Sequence, residues 1–344
     1  MAGLLKELGF ALDQLWAQRQ GPAGLARRRE ARLAAIVAHA RTSSPFYRHL
    51  YRDVLPAGRS DGVVLAELPP VTKQVLMANF DDWVTDPAVT RAGVDAFIAD
   101  PSLVGTPFLG QYFVCTTSGT TGHPGIFVHD PHSLAVSQAF ILRIDLAWLS
   151  PAELLALARR GLRWAGVVGT GGHYAGAGWM QWQRRRSRWR RRAFQTFPVQ
   201  QPLARLVAAL NVYDPSAVTG YPSALALLAE EQMAGRLQLK PVIVELAGES
   251  SAPDARARIA EAFGGALHDA YAASEFTPAG IRLSPRLAAR QQRLGHPGTR
   301  RRGLPAHAAG GGVPHGVAEQ PRQPGPAADP LRSRRLGAGE DRSL

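Results

Sequence analysis

Between Thr116 and Gly122 the chain places five hydroxyl side chains and two glycines in seven consecutive positions, Thr116-Thr117-Ser118-Gly119-Thr120-Thr121-Gly122, followed by His123-Pro124. Glycine lets backbone N–H groups come close to a polyanion, and clustered hydroxyls add further donors. That chemistry suits the phosphates of a nucleotide. The loop lacks the Gly-Lys-Ser/Thr ending of a Walker A motif. A plain polar turn between two strands is the bland alternative, and so dense a set of hydroxyls argues against it. Two carboxylates, Glu249 in Ala247-Gly248-Glu249-Ser250 and Glu275 in Tyr271-Ala272-Ala273-Ser274-Glu275, follow at a distance. Taken singly, each reads as a surface acid. A second glycine-rich stretch, Gly169-Thr170-Gly171-Gly172-His173-Tyr174-Ala175-Gly176, has the wrong spacing for a dinucleotide-binding fingerprint. His173 reads equally well as a pocket residue or as a turn histidine.

The elements that must position these residues alternate in type. Residues 1–42 have helical spacing with a solvated face at Arg27–Arg32, and Ser43, Ser44 and Pro45 stop that helix before Phe46-Tyr47. Thr72 reads as the N-cap of a helix that follows Leu68-Pro69-Pro70-Val71. Gln111–Cys115 and Ile126–Val128 read as strands flanking the hydroxyl loop, and Ser133–Trp148 as a helix. Ala217–Gly220 is a short strand, and Pro222 opens the helix Ser223–Gly235. Pro241–Ala247 is a buried strand ending at Gly248. Pro253–Phe263 is a helix closed by Gly264-Gly265, and Ala266–Tyr271 is again a strand. Such alternation predicts an α/β fold with a largely parallel sheet and flanking helices.

Composition narrows the class. The 344 residues are 45% hydrophobic and 19% charged, enough to bury a core, which excludes wholesale disorder and fibrous architectures. A single cysteine, Cys115, excludes a disulfide framework and a Cys-based zinc site, and reads as a small buried residue rather than a nucleophile. The net charge of +13 is concentrated in two places: seven arginines from Arg184 to Arg192, and eleven arginines against four acids in residues 283–344. A nucleic-acid binder would spread its cations over a working face. Trp182 and Trp189 accompany the first run, so an anionic membrane surface or RNA stays open as its partner, against the commoner reading of a solvated face. The N-terminal stretch has Lys6 and Glu7 inside its apolar run and lacks the form of a secretory signal, and Arg143 and Asp145 interrupt the most apolar later segment. A cytoplasmic protein is the expectation.

The loop resembles the hallmark Thr/Ser-Ser-Gly-Thr-Thr-Gly-x-Pro of adenylate-forming (AMP-binding) enzymes. The chain looks closest to the phenylacetate–coenzyme A ligase-like branch, which includes synthetases that adenylate a deazaflavin coenzyme. Ser44-Pro45-Phe46-Tyr47, Ala247-Gly248-Glu249-Ser250 and Tyr271-Ala272-Ala273-Ser274-Glu275 match further signatures in the family's order, with Ala272 in place of the usual glycine. The resemblance covers roughly residues 40–282. It implies the large N-terminal adenylation domain over residues 1–282 and ATP-dependent activation of a carboxylic acid, with coenzyme A as the next acceptor. By that resemblance Thr117, Ser118, Gly119, Thr120, Thr121 and Gly122 hold the β- and γ-phosphates. Tyr271 stacks on adenine, and Gly248 and Glu249 meet the adenine edge. Ser274 donates to the α-phosphate, and Glu275 helps hold Mg²⁺. Thr120, Ser274 and Glu275 are then the catalytic set, and Gly172, His173 and Tyr221 border the acyl pocket. The implied partners are the acid, ATP and coenzyme A, with no nucleic acid and no membrane span. The other function classes are a catalytically inactive nucleotide-binding protein and an Arg-rich nucleic-acid or membrane-surface binder.

From about Leu283 the character changes. Residues 283–344 contain no Phe, Tyr, Trp, Ile, Met, Lys or Asn, a composition expected to stay disordered. The family's ribose-binding motif and its small C-terminal lid domain with a catalytic lysine have no match there. Asp329–Leu336 can be back-translated so that a one-base shift reads Ile-Arg-Tyr-Asp-Leu-Gly-Asp, and Pro285–Gly298 yields an aromatic-rich strand pattern in the same shifted frame. The expectation is that these residues are translated out of frame, leaving the adenylation domain incomplete and its turnover impaired.

Overall fold

The structure, a computed structural model, describes residues 9–10, 12–13, 16–17, 19–54, 63–117 and 124–281, with backbone only for 142–148, 271 and 276–281. Contacts divide the chain at Leu294, and the described residues all lie in the first unit. The tail assigned to residues 283–344 lies outside them, as do Ser118 to His123.

Local chemistry sets most of the element boundaries. Helix Gly21–Ser43 ends at Ser44, whose hydroxyl accepts from the Tyr47 N–H to cap Pro45–Leu50 and donates to the Asp82 carbonyl at 3.0 Å. Ser44 is fully buried, so this cap also ties the N-terminal helices to the short helix Phe80–Trp83. Thr72 caps Lys73–Ala78 as its sequence position predicts, accepting from the Val75 N–H. Ser150 and Glu153 form a reciprocal capping box at the start of Pro151–Arg159. Helices Pro151–Arg159, Pro222–Met233 and Pro253–Phe263 each begin with proline, where the missing N–H costs nothing. Gly264 closes the last of these with φ +62°.

Strands β1 (Phe113–Thr116) and β2 (Ile126–His129) pair antiparallel and form a small sheet of their own around the hydroxyl loop. The main sheet follows: β3 (Trp164–Val168), β4 (Phe194–Pro198), β5 (Ala217–Gly220), β6 (Ile243–Ala247), β7 (Ala266–Ala273) and β8 (Phe276–Ile281). Its order is β4-β3-β5-β6-β7-β8, with the first five parallel and β8 antiparallel at one edge. The expectation of an α/β fold with a mostly parallel sheet and flanking helices holds.

Both faces of this sheet are covered, as a parallel sheet requires. Val218, Val244 and Leu246 pack with Leu206, Leu210, Leu225, Leu228 and Ile259 from helices Leu203–Tyr213, Pro222–Met233 and Pro253–Phe263. On the opposite face Ala217, Ile243 and Ala266 meet Leu149 and Leu157. Gly166 of β3 lies beneath Met180 of helix Ala175–Arg185, where an added Cβ would meet the Met180 side chain at 3.0 Å. Among the described residues no helix is long and apolar enough to cross a membrane.

Candidate functional site

Five parallel strands end on the same side of the sheet, and a crevice at the carboxyl ends of such strands is where open α/β sheets take their ligands. Gly169 follows β3, Tyr221 follows β5, Gly248-Glu249 follow β6 and Ser274-Glu275 follow β7. Motifs as much as 106 positions apart in sequence are thus brought to one edge.

Tyr221 organises the centre of that edge. Its hydroxyl accepts from the Gly169 N–H at 3.3 Å. Its ring lies against Gly248, where an added Cβ would sit 2.8 Å from Cε1. Gly248 has φ +82°, so both its conformation and its neighbour exclude a side chain. Glu249 turns toward the start of helix Pro222–Met233, accepting from the Ser223 hydroxyl at 2.7 Å and its N–H at 3.3 Å. A carboxylate is favoured there by the exposed N–H groups of the first helical turn. Beside β3, Thr170 and Gln200 exchange two hydrogen bonds, the Thr170 N–H donating at 3.3 Å and the Gln200 amide donating back at 3.0 Å.

The hydroxyl loop leaves and re-enters the fold through a neck that is described. The Thr117 N–H donates to the Gly125 carbonyl at 3.0 Å, and the Gly125 N–H donates to the Thr117 hydroxyl at 2.8 Å. The Thr117 oxygen is therefore engaged as an acceptor, which leaves its proton for a further partner. A Cβ at Gly125 would meet Lys73 Cδ and Phe127 Cε2, each at 2.9 Å, so the neck is closely packed. The Thr116 N–H donates to the His173 carbonyl at 2.7 Å, joining the neck to the glycine-rich segment after β3.

A second joint connects the hairpin to the corner between β7 and β8. His129 at the end of β2 donates from Nε2 to the Ser274 carbonyl at 2.8 Å, and the Cys115 thiol reaches the same oxygen at 3.4 Å. Burial lowers the pKa of His129, against the opposing pull of the Ser274 carbonyl and of Asp130 and Glu275. Burial, with Glu275 as the next cause, pushes the Cys115 thiol up to about 12. The thiol therefore stays protonated and inert at neutral pH, in keeping with the reading of Cys115 as a small buried residue.

The sequence-predicted residues fall into three groups. Thr117, Tyr221, Gly248, Glu249, Ser274 and Glu275 lie along the strand-end edge and the hairpin neck. Ser118, Gly119, Thr120, Thr121 and Gly122 lie outside the described residues, and Tyr271 is placed by backbone alone, paired with Gly280. Gly172 precedes His173, which is 2% exposed. The His173 ring packs 5.1 Å from Phe97 and its Nε2 lies 3.1 Å from the Asp100 carbonyl. His129, Lys73 and Gln200 were not singled out. Their positions become informative only once the hairpin and the strand ends are in place.

Four of the seven arginines of the run donate to other groups of the protein. Arg184 donates to the Phe194 carbonyl at 2.7 Å and to the Arg191 carbonyl at 3.2 Å. Arg185 reaches the Ser102 carbonyl, Arg186 donates to the Gln138 side chain at 2.5 Å, and Arg190 donates to Gln183. Trp182 packs edge-on against Phe113, and Trp189 is exposed.

No family model and no curated protein matches the chain. Among solved structures, it is similar to 2-hydroxyisobutyryl-CoA ligase in an open conformation with 2-HIB-AMP and CoA. That match has 22% identity and a TM-score of 0.46 over 74% of this chain and 55% of the other. The same ligase in its thioesterification state gives 23% identity and a TM-score of 0.45, over 76% and 54%. A long-chain-fatty-acid-CoA ligase from Archaeoglobus fulgidus gives 14% identity and a TM-score of 0.32, over 51% and 34%. The chain spans about half the length of the ligase it matches over 55% of that protein.

Proposed function

We propose that this chain is the nucleotide-binding part of an acid-activating enzyme: ATP and a carboxylic acid combine to an acyl-adenylate and pyrophosphate, and a thiol such as coenzyme A then accepts the acyl group. The phenylacetate–coenzyme A ligase-like branch is the finer assignment within this proposal. The observation that carries it is the joint between the hairpin and the β7–β8 corner. The 2.8 Å bond from His129 to the Ser274 carbonyl ties the hairpin that carries the phosphate-suited loop to the corner that carries Glu275, which supports reading them as one site. The 2-hydroxyisobutyryl-CoA ligase, solved with 2-HIB-AMP and CoA, binds the two ligands that this reading requires.

Each residue then has a task its surroundings permit. The loop amides and hydroxyls from Thr117 to Gly122 bind the β- and γ-phosphates, Thr117 with the proton its own acceptor bond leaves available. Gly248, exposed at the strand end, presents its backbone to the base, with the Tyr221 ring packed where a side chain would otherwise sit. Ser274 donates toward the α-phosphate. Glu275 is exposed, and no cluster of three or more His, Cys, Asp or Glu side chains able to hold a metal occurs among the described residues. One carboxylate beside a phosphate-binding loop fits Mg²⁺, which is usually held by one or two carboxylates together with substrate phosphates. When bound, Mg²⁺ neutralises charge on bridging phosphate oxygens.

Isothermal titration of the full chain with ATP–Mg²⁺, paired with an acid-dependent pyrophosphate-release assay, tests the proposal. Binding is expected, and Glu275→Gln is expected to weaken it about tenfold or more, the scale of a lost interaction with a charged group. ATP without Mg²⁺ should bind the variant and the unaltered chain alike. The absence of any ATP–Mg²⁺ binding would defeat the proposal. Turnover is expected to be weak, because the sequence of residues 283–344 contains no lysine and no match to the family's ribose-binding motif. The out-of-frame origin of those residues belongs to the same proposal. Sequencing the gene through the Leu283 codon decides it, since a single-base change there must restore an open, aromatic-rich frame.

A further inference from the structure

The hairpin and the main sheet are separate sheets, yet two hairpin side chains converge on one carbonyl at the tip of the β7–β8 turn. His129 Nε2 lies 2.8 Å from the Ser274 oxygen and Cys115 Sγ 3.4 Å from it, with 3.7 Å between Nε2 and Sγ. We propose that His129 is a positioning residue that latches the Ser274–Glu275 corner onto the hairpin and so fixes Glu275 relative to the hydroxyl loop. The site to which this gives meaning is the one under Proposed function, and the inference rests on that reading.

Three features equip His129 for the task. It ends β2, in register with Phe113, and its ring lies 5.9 Å from the Phe113 ring at a 40° tilt. Phe113 is itself buried and braced edge-on by Trp179 and Trp182, so the imidazole has a rigid backing. Burial keeps the ring neutral, in which form one nitrogen donates and the other accepts. The Ser274 carbonyl requires the proton on Nε2. The corner itself is a two-residue turn leading into β8, an edge strand whose pairing with β7 is irregular between Tyr271 and Ala273. Its own sheet therefore holds it from one side only, through the Ala273–Phe276 pair. A bond from the hairpin supplies the missing restraint. The carboxylate that follows Ser274 then cannot drift from the loop neck, whose Thr117–Gly125 bonds sit at the opposite end of the same two strands.

Cys115 provides a reporter. It is the chain's only cysteine, is 1% exposed, and lies under the same carbonyl. While the latch holds, iodoacetamide should label it slowly. In His129→Leu the labelling rate should rise about tenfold or more, because removing a donor to a buried carbonyl costs at least that in the closed-state equilibrium. His129→Gln, whose side-chain amide nitrogen reaches about as far as Nε2, should return the rate to within about twofold of the unaltered chain. His129→Asn keeps an amide too short to reach and should behave as Leu does, which covers the case where the Leu variant fails to fold. Amide exchange in residues 272–277 should follow the same ranking, with the melting temperature unchanged in the Gln variant. Glutamine labelling as fast as asparagine, or all variants labelling at the unaltered rate, overturns the latch. ATP–Mg²⁺ affinity should fall with Asn and recover with Gln. Failure of the unaltered chain to bind ATP–Mg²⁺ defeats the nucleotide reading alone, while the labelling and exchange rates still decide the latch.

Discussion

Gly248→Ala should damage the strand-end edge through two separable causes. At φ +82° an L side chain is strained, at a cost of about 1–2 kcal/mol. The new methyl would also lie 2.8 Å from Tyr221 Cε1 and 3.0 Å from Cδ1. Overpacking of this kind adds about 1–3 kcal/mol. Together these amount to about 2–5 kcal/mol, or about 5–15 °C in melting temperature for a domain of this size. The Tyr221 ring can yield only by withdrawing its hydroxyl from the Gly169 N–H. The assay is a double-mutant cycle: thermal unfolding of Gly248→Ala in the unaltered chain and in Tyr221→Ala. Without the ring, only the backbone strain of about 1–2 kcal/mol should remain. Equal costs in both backgrounds would show that the ring is no obstacle. A cost below about 0.5 kcal/mol in both would refute the conformational argument as well. ATP–Mg²⁺ affinity should fall in Gly248→Ala, since a displaced Tyr221 ring disturbs the edge assigned to the base.

Two further perturbations test the electrostatics of the sheet. Asp214 holds Arg160 at 2.5 Å and Arg163 at 2.6 Å from a left-handed position (φ +44°) after helix Leu203–Tyr213. Because its carboxylate is half-exposed, Asp214→Asn should cost only about 1 kcal/mol and less in high salt. Asp214→Ala should cost more, having lost both hydrogen bonds and the tolerance of asparagine for that conformation. Equal denaturation midpoints for the two variants would contradict this. Glu245 pairs in register with Thr219 on β5 and His268 on β7. Burial raises its pKa, opposed by the bond from the Thr219 hydroxyl. An acid raised in the folded state contributes stability that is fully present below its unfolded value near 4.5 and is lost as pH climbs through the folded one. The melting temperature of the unaltered chain should therefore fall relative to Glu245→Gln as pH rises above that value. Parallel curves would show that Glu245 is not buried in the way the sheet implies.

Much of the scaffold was legible in single residues. Thr72 caps where its type and neighbours predict, Ser44 stops one helix and also caps the next, Pro222 and Pro253 open helices, and Gly264 closes one, because capping and backbone permission act within a few positions. The apolar run Pro241–Ala247 likewise marks a buried strand, which the structure shows over Ile243–Ala247 with Gly248 just beyond it. The placement of motifs at strand ends follows once the parallel order is known, and strand alternation points toward that order without fixing it.

What the chain alone determined is thus part of the local alphabet: several of the strands and helices, where those stop, and that hydroxyls and glycines gather in one loop, whereas β3, β4 and the helices Ala175–Arg185 and Leu203–Tyr213 were not legible in it. Only the tertiary structure decided the partners. It bonds His129 to a carbonyl 145 positions away, packs Tyr221 on Gly248, turns Glu249 onto a helix start, and directs the guanidiniums of Arg184 and Arg185 to backbone carbonyls. The physical reason is that caps and periodicity are satisfied by neighbours along the chain, whereas a buried donor takes whichever acceptor the strand order brings within reach.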